Sequence, residues 1–192
     1  WGFENHFHNN IIYVGDPSAT TNCYGIYLID VWRAVISENI IVGLTDVGGT
    51  NRKGIWVESH ANDIIIQSNV IINIKAKPID IGAYARKPDI KRISIIGNII
   101  NTTESLTEMA ITIGENNEVE NVLIANNIIV GYDGLLRVGS SGNNIVCKNI
   151  TVIHNKVDGT VGFKLYGNAY KVVIRENEFY NNITTVIESV EL

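Results

Sequence analysis

Apolar and polar residues alternate in a phrase that recurs along the whole chain. Residues 63–71 read Asp-Ile-Ile-Ile-Gln-Ser-Asn-Val-Ile, and the Asn of that phrase returns as Asn10, Asn39, Asn69, Asn98, Asn127, Asn155 and Asn177. Successive intervals are 29, 30, 29, 29, 28 and 22 residues. Five residues before each Asn stand Asn5, Ala34, Ile64, Ile93, Val122, Ile150 and Val172; three before stand Phe7, Ile36, Ile66, Ile95, Ile124, Val152 and Ile174. Two after stand Ile12, Ile41, Ile71, Ile100, Ile129, Val157 and Phe179. A fixed period with strand-type alternation inside each unit predicts a solenoid.

The register explains why such units must stack. Ile-x-Ile is a strand with one face to bury, and β-branched residues suit that pleated surface. One strand cannot bury its face alone, whereas stacked copies share a continuous core. Asn tolerates left-handed backbone and is expected at a sharp bend. Stacked Asn side chains are also expected to bond from coil to coil, as amide ladders do. A further strand follows in each coil: Gly25-Ile26-Tyr27-Leu28, Gly54-Ile55-Trp56-Val57, Pro78-Ile79-Asp80-Ile81, Ala110-Ile111-Thr112-Ile113, Leu135-Leu136-Arg137-Val138 and Gly162-Phe163-Lys164-Leu165. Its apolar pairs point inward and its middle residues outward. Long connections fall at residues 16–24, 45–53 and 101–109, and insertions of this kind gather on one face of a solenoid.

The outward residues carry the candidate chemistry. Tyr27, Trp56, Asp80, Thr112, Arg137 and Lys164 form one column, about 4.8 Å per step. Beside it run Ile29, Glu58, Gly82, Gly114, Gly139 and Tyr166. Exposed aromatics, carboxylates and glycines with room above them suit an extended sugar polymer, with Trp56 as stacking platform. Glu58 and Asp80 are the best catalytic pair, because two residues along the strand and one coil across separate their bases by about 8 Å. Inverting glycosidases hold their carboxyls about 6.5–9.5 Å apart, leaving space for a water. A lyase instead needs a base and a neutralising cation, for which Arg137 and Lys164 are candidates. Asp30, His60, Tyr84, Arg86 and Glu108 stand on nearby loops, and His60, Tyr84 and Arg86 join the expected substrate contacts. His6 and His8 share a strand face, but no third ligand accompanies them, and no cofactor or metal is expected.

Composition narrows the partners. Of 192 residues, 45% are hydrophobic and 18% charged, which favours an ordered, sheet-rich chain. A net charge of −5 without a basic block argues against nucleic acid. No apolar run reaches membrane-spanning length. Cys23 and Cys147 lie several coils apart and are too distant for a disulfide. A second outward stripe, Ile11, Ile40, Val70, Ile99 and Ile128, marks a contact surface.

These Ile-x-Ile-x-x-Asn-x-Ile coils are similar to the right-handed parallel β-helix of the pectate-lyase-like superfamily. That superfamily includes polysaccharide lyases, glycosidases, alginate epimerases and phage tailspikes. The resemblance implies an all-β, single-stranded right-handed parallel β-helix of about seven coils, occupying residues 1–192 as one domain. It further implies extracellular polysaccharide recognition and cleavage, as in tailspike depolymerases, or alternatively a non-catalytic shaft or adhesin. A homotrimer packed through Ile40, Val70, Ile99 and Ile128 would follow the tailspike pattern. Since the chain begins at Trp1, a fragment of a longer protein is the expectation. Of the epimerase motif Tyr-Gly-x-Asp-Pro-His, only Tyr24-Gly25 is present, so that motif contributes no catalytic residues.

Overall fold

Stacking the repeated phrase produces three parallel sheets in a computed structural model, which describes residues 3–15, 22–44, 51–82, 90–103, 108–115, 118–139, 146–166, 168–180 and 184–187. The strand before each Asn builds the first sheet: Phe3–His8, Trp32–Ser37, Asn62–Gln67, Ile90–Ile96, Val119–Ala125, Val146–Ile153 and Asn168–Arg175. The second sheet is Ile11–Val14, Ile40–Gly43, Val70–Ile72, Ile99–Asn101, Ile128–Val130, Lys156–Asp158 and Glu178–Phe179. The third is Asn22–Leu28, Asn51–Val57, Lys77–Ile81, Met109–Ile113, Gly134–Val138, Val161–Leu165 and Thr184–Ile187. Every strand therefore pairs with its counterpart one repeat away, and no helix occurs among the described residues. The fold is an all-β parallel solenoid.

Two expectations about the coil are corrected. The residues after each Asn form a strand of their own, so a coil carries three strands rather than two. The left-handed bend also falls one position earlier than expected. Asn9, Glu38, Ser68, Gly97, Asn126, His154 and Glu176 have φ between 54° and 65°, whereas the following Asn does not adopt positive φ. This single residue breaks the strand, so the Asn side chain turns into the coil instead of alternating outward.

Once inside, the Asn side chains form a ladder. Asn39, Asn69, Asn98, Asn127 and Asn155 have no solvent exposure. In the middle of the ladder, Asn69 donates both its backbone N–H (3.0 Å) and its side-chain amide (3.0 Å) to Asn98 Oδ1. Asn98 in turn donates to Asn127 Oδ1 (3.0 Å) and back to the Ile66 carbonyl (3.0 Å). The buried amide is thus fully used, which a polar group in a dry interior requires.

The apolar columns stack as the register demands. Ile36, Ile66, Ile95 and Ile124 are direct partners across the first sheet, each with zero exposure. Ile41, Ile71, Ile100 and Ile129 do the same in the second sheet, and Ile55, Ile79, Ile111 and Leu136 in the third. Glycine enters where coils approach closely: a Cβ on Gly54 would sit 2.6 Å from the Pro78 carbonyl oxygen. On the outer side of the second sheet Ile11, Ile40, Ile99 and Ile128 are exposed, and Val70 is half-buried. Cys23 and Cys147 are free thiols.

Candidate functional site

The third sheet carries the column read from the sequence. Tyr27 pairs with Trp56, Trp56 with Asp80, Asp80 with Thr112, Thr112 with Arg137, and Arg137 with Lys164. Main-chain bonds align Glu58, Gly82, Gly114, Gly139 and Tyr166 beside it. The glycines of that second column have φ of 81°, 68° and 76°, so the turn leaving the sheet accounts for them, not room for a ligand.

The exposure of these side chains differs from the expectation. Trp56 is 6% exposed, Glu58 4% and Asp80 0%; the expected open platform and accessible carboxylate pair are therefore both covered. Tyr27, at 42%, is the aromatic of this column that solvent reaches. The cause lies in residues placed in loops by sequence reasoning. Tyr24 and Lys53 belong to strands, pair with one another, and Lys53 pairs with Lys77. In these strands Gly25, Gly54 and Pro78 interrupt the alternation, so the residue three before each column member shares its face. Tyr24 thereby comes within 4.6 Å of the Trp56 ring centroid, tilted at 58°. Tyr27 stacks on Trp56 at 4.5 Å and 21°. Lys53 Nζ lies 3.6 Å from the same indole centroid, a cation–π contact.

Charge forms a chain across the coils next to this aromatic group. Lys53 Nζ is 2.7 Å from Asp80 Oδ2, and Lys77 Nζ is 3.7 Å from the same oxygen. Lys77 also binds Glu115 Oε2, while Glu115 Oε1 lies 3.2 Å from Arg137 Nη1. Arg137 stands over the Tyr166 ring at 5.3 Å. Lys164 is held by Asp133 Oδ2 at 2.7 Å, and Thr160 Oγ1 donates to the other Asp133 oxygen at 2.5 Å. Asp80 is therefore an ion-pair partner of two lysines.

Burial dominates the electrostatics. It pushes Asp80 above the ordinary carboxylate range, with Lys77 and Lys53 opposing it. It pushes Lys53 down, against the attraction and hydrogen bond of Asp80. Both partners thus lean towards their neutral forms, because desolvation outweighs their mutual attraction. Tyr24 is raised by burial first and then by the charges of Glu58 and Asp80, which places all three groups in one electrostatic neighbourhood. Asp80 Oδ1, Trp56 Nε1 and Arg137 Nε are buried with no hydrogen-bond partner among the described residues.

The remaining expected residues sit at the margin. His60 is exposed, at φ 45°, with Nδ1 2.9 Å from Asp30 Oδ1 in the turn leaving the sheet. Tyr84 and Arg86 lie outside the described residues, as do most of the connections at 16–24 and 45–53. His8 Nδ1 meets the Asn9 side-chain amide at 3.1 Å. No group of three metal-ligating side chains occurs among the described residues. No family model matches the chain, and no curated protein or solved structure matches it.

Proposed function

We propose that this chain recognises an extracellular polysaccharide on the outer face of its third sheet. The observation carrying the reading is Tyr27, exposed and stacked at 4.5 Å on a Trp56 ring that Tyr24 and Lys53 immobilise. An aromatic held rigid before binding loses little freedom when a sugar ring stacks on it. Arg137 and Lys164, half-buried along the same column, supply hydrogen-bond donors for an extended ligand. The solenoid is assigned by this reading to the right-handed pectate-lyase-like group, as a tailspike or shaft-like adhesin. Homotrimer packing through Ile40, Val70, Ile99 and Ile128 belongs to the same proposal, and light scattering giving a monomer would count against it.

Cleavage is a second reading, favoured by one observation. Asp80 is raised, Lys53 lowered and Tyr24 raised, so three proton-holding groups are shifted together. Such shifts mark acid–base sites as well as structural ion pairs. Glu58 and Asp80 would then act as acid and base after the cover over them opens. A panel of bacterial surface glycans separates the readings. Binding that falls several-fold in Tyr27→Ala, without shortened chains, supports recognition alone. Shortened chains, lost in both Glu58→Gln and Asp80→Asn, support cleavage. Unchanged binding in Tyr27→Ala removes the third sheet from consideration.

A further inference from the structure

A different face of the solenoid holds a groove that the third-sheet site does not use. It is an open depression of about 600 Å³ on the outer side of the first sheet. One wall consists of residues six before the ladder Asn, all left-handed: Asp63, Arg92, Asn121 and Asn149 have φ of 59°, 60°, 60° and 56°. That conformation lifts each side chain out of the strand's alternation and sets the four in a row along the axis. Arg92 Nη2 donates to Asp63 Oδ2 at 2.9 Å, and Asn149 Nδ2 donates to Asn121 Oδ1 at 2.9 Å. The first pair cancels its own charge. Among the described residues, the second leaves Asn121 Nδ2 as an open donor and Asn149 Oδ1 as an open acceptor, one coil apart.

The floor alternates in the axial direction. Ile65, Ser94, Leu123 and Thr151 are successive register partners, so apolar and hydroxyl side chains take turns at steps of about 4.8 Å. Ile65 is 37% exposed, and the other three are half-buried. We propose that this groove binds an uncharged glycan lying along the solenoid axis. The rung spacing is close to the advance of one sugar ring in an extended chain, and rings that flip alternately present a C–H face and then hydroxyls. The self-neutralised wall selects against charged polymers, since an acidic chain would meet the Asp63 carboxylate and an Arg92 already paired. An extended peptide is poorly served here, because the main-chain groups below are spent within the sheet.

The site is independent of the third-sheet reading, and the test separates them. Titration calorimetry would use cellohexaose, mannohexaose and xylohexaose as neutral probes and hexagalacturonate as the charged one. At least one neutral probe is expected to bind, with salt-independent affinity. Leu123→Arg and Ser94→Arg, both at outward positions, are each expected to weaken it about tenfold or more. Methyl resonances of Ile65, Leu123 and Thr151 in the unmodified chain should shift on titration, which keeps the test valid if a variant folds poorly. The proposal is overturned by three neutral probes that fail to bind, or by binding that both arginine substitutions leave intact. Preference for hexagalacturonate, shifts confined to the third sheet, or a drop in oligomer size in the variants would each overturn it as well.

Discussion

Two polar ladders run along this solenoid, one inside its corner and one outside its third sheet. The Asn ladder repeats a single side chain in every coil, uses neutral amides, and satisfies each of them. The outer ladder changes residue at each step, from Tyr24 and Lys53 through Lys77, Asp80 and Glu115 to Arg137. It is charged, and it leaves buried polar atoms on Trp56, Asp80 and Arg137 without hydrogen-bond partners among the described residues. Uniformity is what a coil needs to copy itself. Departure from uniformity, kept at a desolvation cost, is what a site needs in order to differ from the rest of the surface.

The sharpest way to break this contrast is to remove one rung from the inner ladder. Asn98→Ala strands the Asn69 N–H and the Ile66 carbonyl in a dry interior and opens a cavity. At about 1–3 kcal/mol for each stranded group, a loss of about 5 kcal/mol is expected. Urea unfolding measures it, and a loss under about 1 kcal/mol would show the ladder to be ornamental.

The outer ladder should respond differently, through pairing rather than through rung count. Asp80→Leu leaves the buried Lys53 amine without its acceptor, with an expected cost of about 3 kcal/mol. Replacing both partners, as Lys53→Met with Asp80→Leu, should recover most of it, because breaking a buried pair costs more than deleting it. Burial raises Asp80 in the fold, so its contribution is present below the ordinary carboxylate range and is lost as pH rises through the raised value. A stability–pH curve of Asp80→Asn should lack that component. A double variant no better than the singles would contradict this account.

Smaller effects sharpen the difference between inside and outside. Burial pushes the Cys147 thiol up to about 12, so it should resist alkylation at neutral pH until the coil opens. Cys23, half-buried, should react sooner; equal rates by mass spectrometry would mean the sixth coil opens readily. The smallest change expected is a gain. Ser68 is left-handed at φ 54°, where the next coil has Gly97. Ser68→Gly should stabilise by about 0.5 kcal/mol, the difference between relieved strain and added chain entropy. An unchanged or lower midpoint would show that Ser68 is held by contacts worth more than its strain.

Much of the coil was legible because its determinants are local and repeated. The Ile columns and the Asn spacing follow from the chain alone, and so does the pairing of Trp56 with Asp80. The covering of the site was not legible, since it depends on a break in alternation. Gly54 and Pro78 read as bends, and only close packing of successive main chains shows that Lys53 and Lys77 emerge on the same face as Trp56 and Asp80. The spacing of three between Tyr24 and Tyr27, Lys53 and Trp56, and Lys77 and Asp80 was the available signal. Left-handed residues six before each Asn were equally hidden, because Arg33, Arg92 and Lys171 carry no bias towards that conformation.

The direction of the inner ladder has a consequence for synthesis. Each Asn sends its backbone N–H and amide to the oxygen of the Asn in the following coil, 28 to 30 residues later through most of the chain. A nascent chain emerging from its N-terminus therefore exposes donors whose acceptors have not yet been made. Each coil becomes a latch only when its successor arrives, so the growing end trails translation by one repeat. Arrest-peptide force profiles along chains truncated at successive Asn positions should show pulls at that spacing, displaced by one coil. A profile with a single late pull would mean that the whole solenoid closes at once.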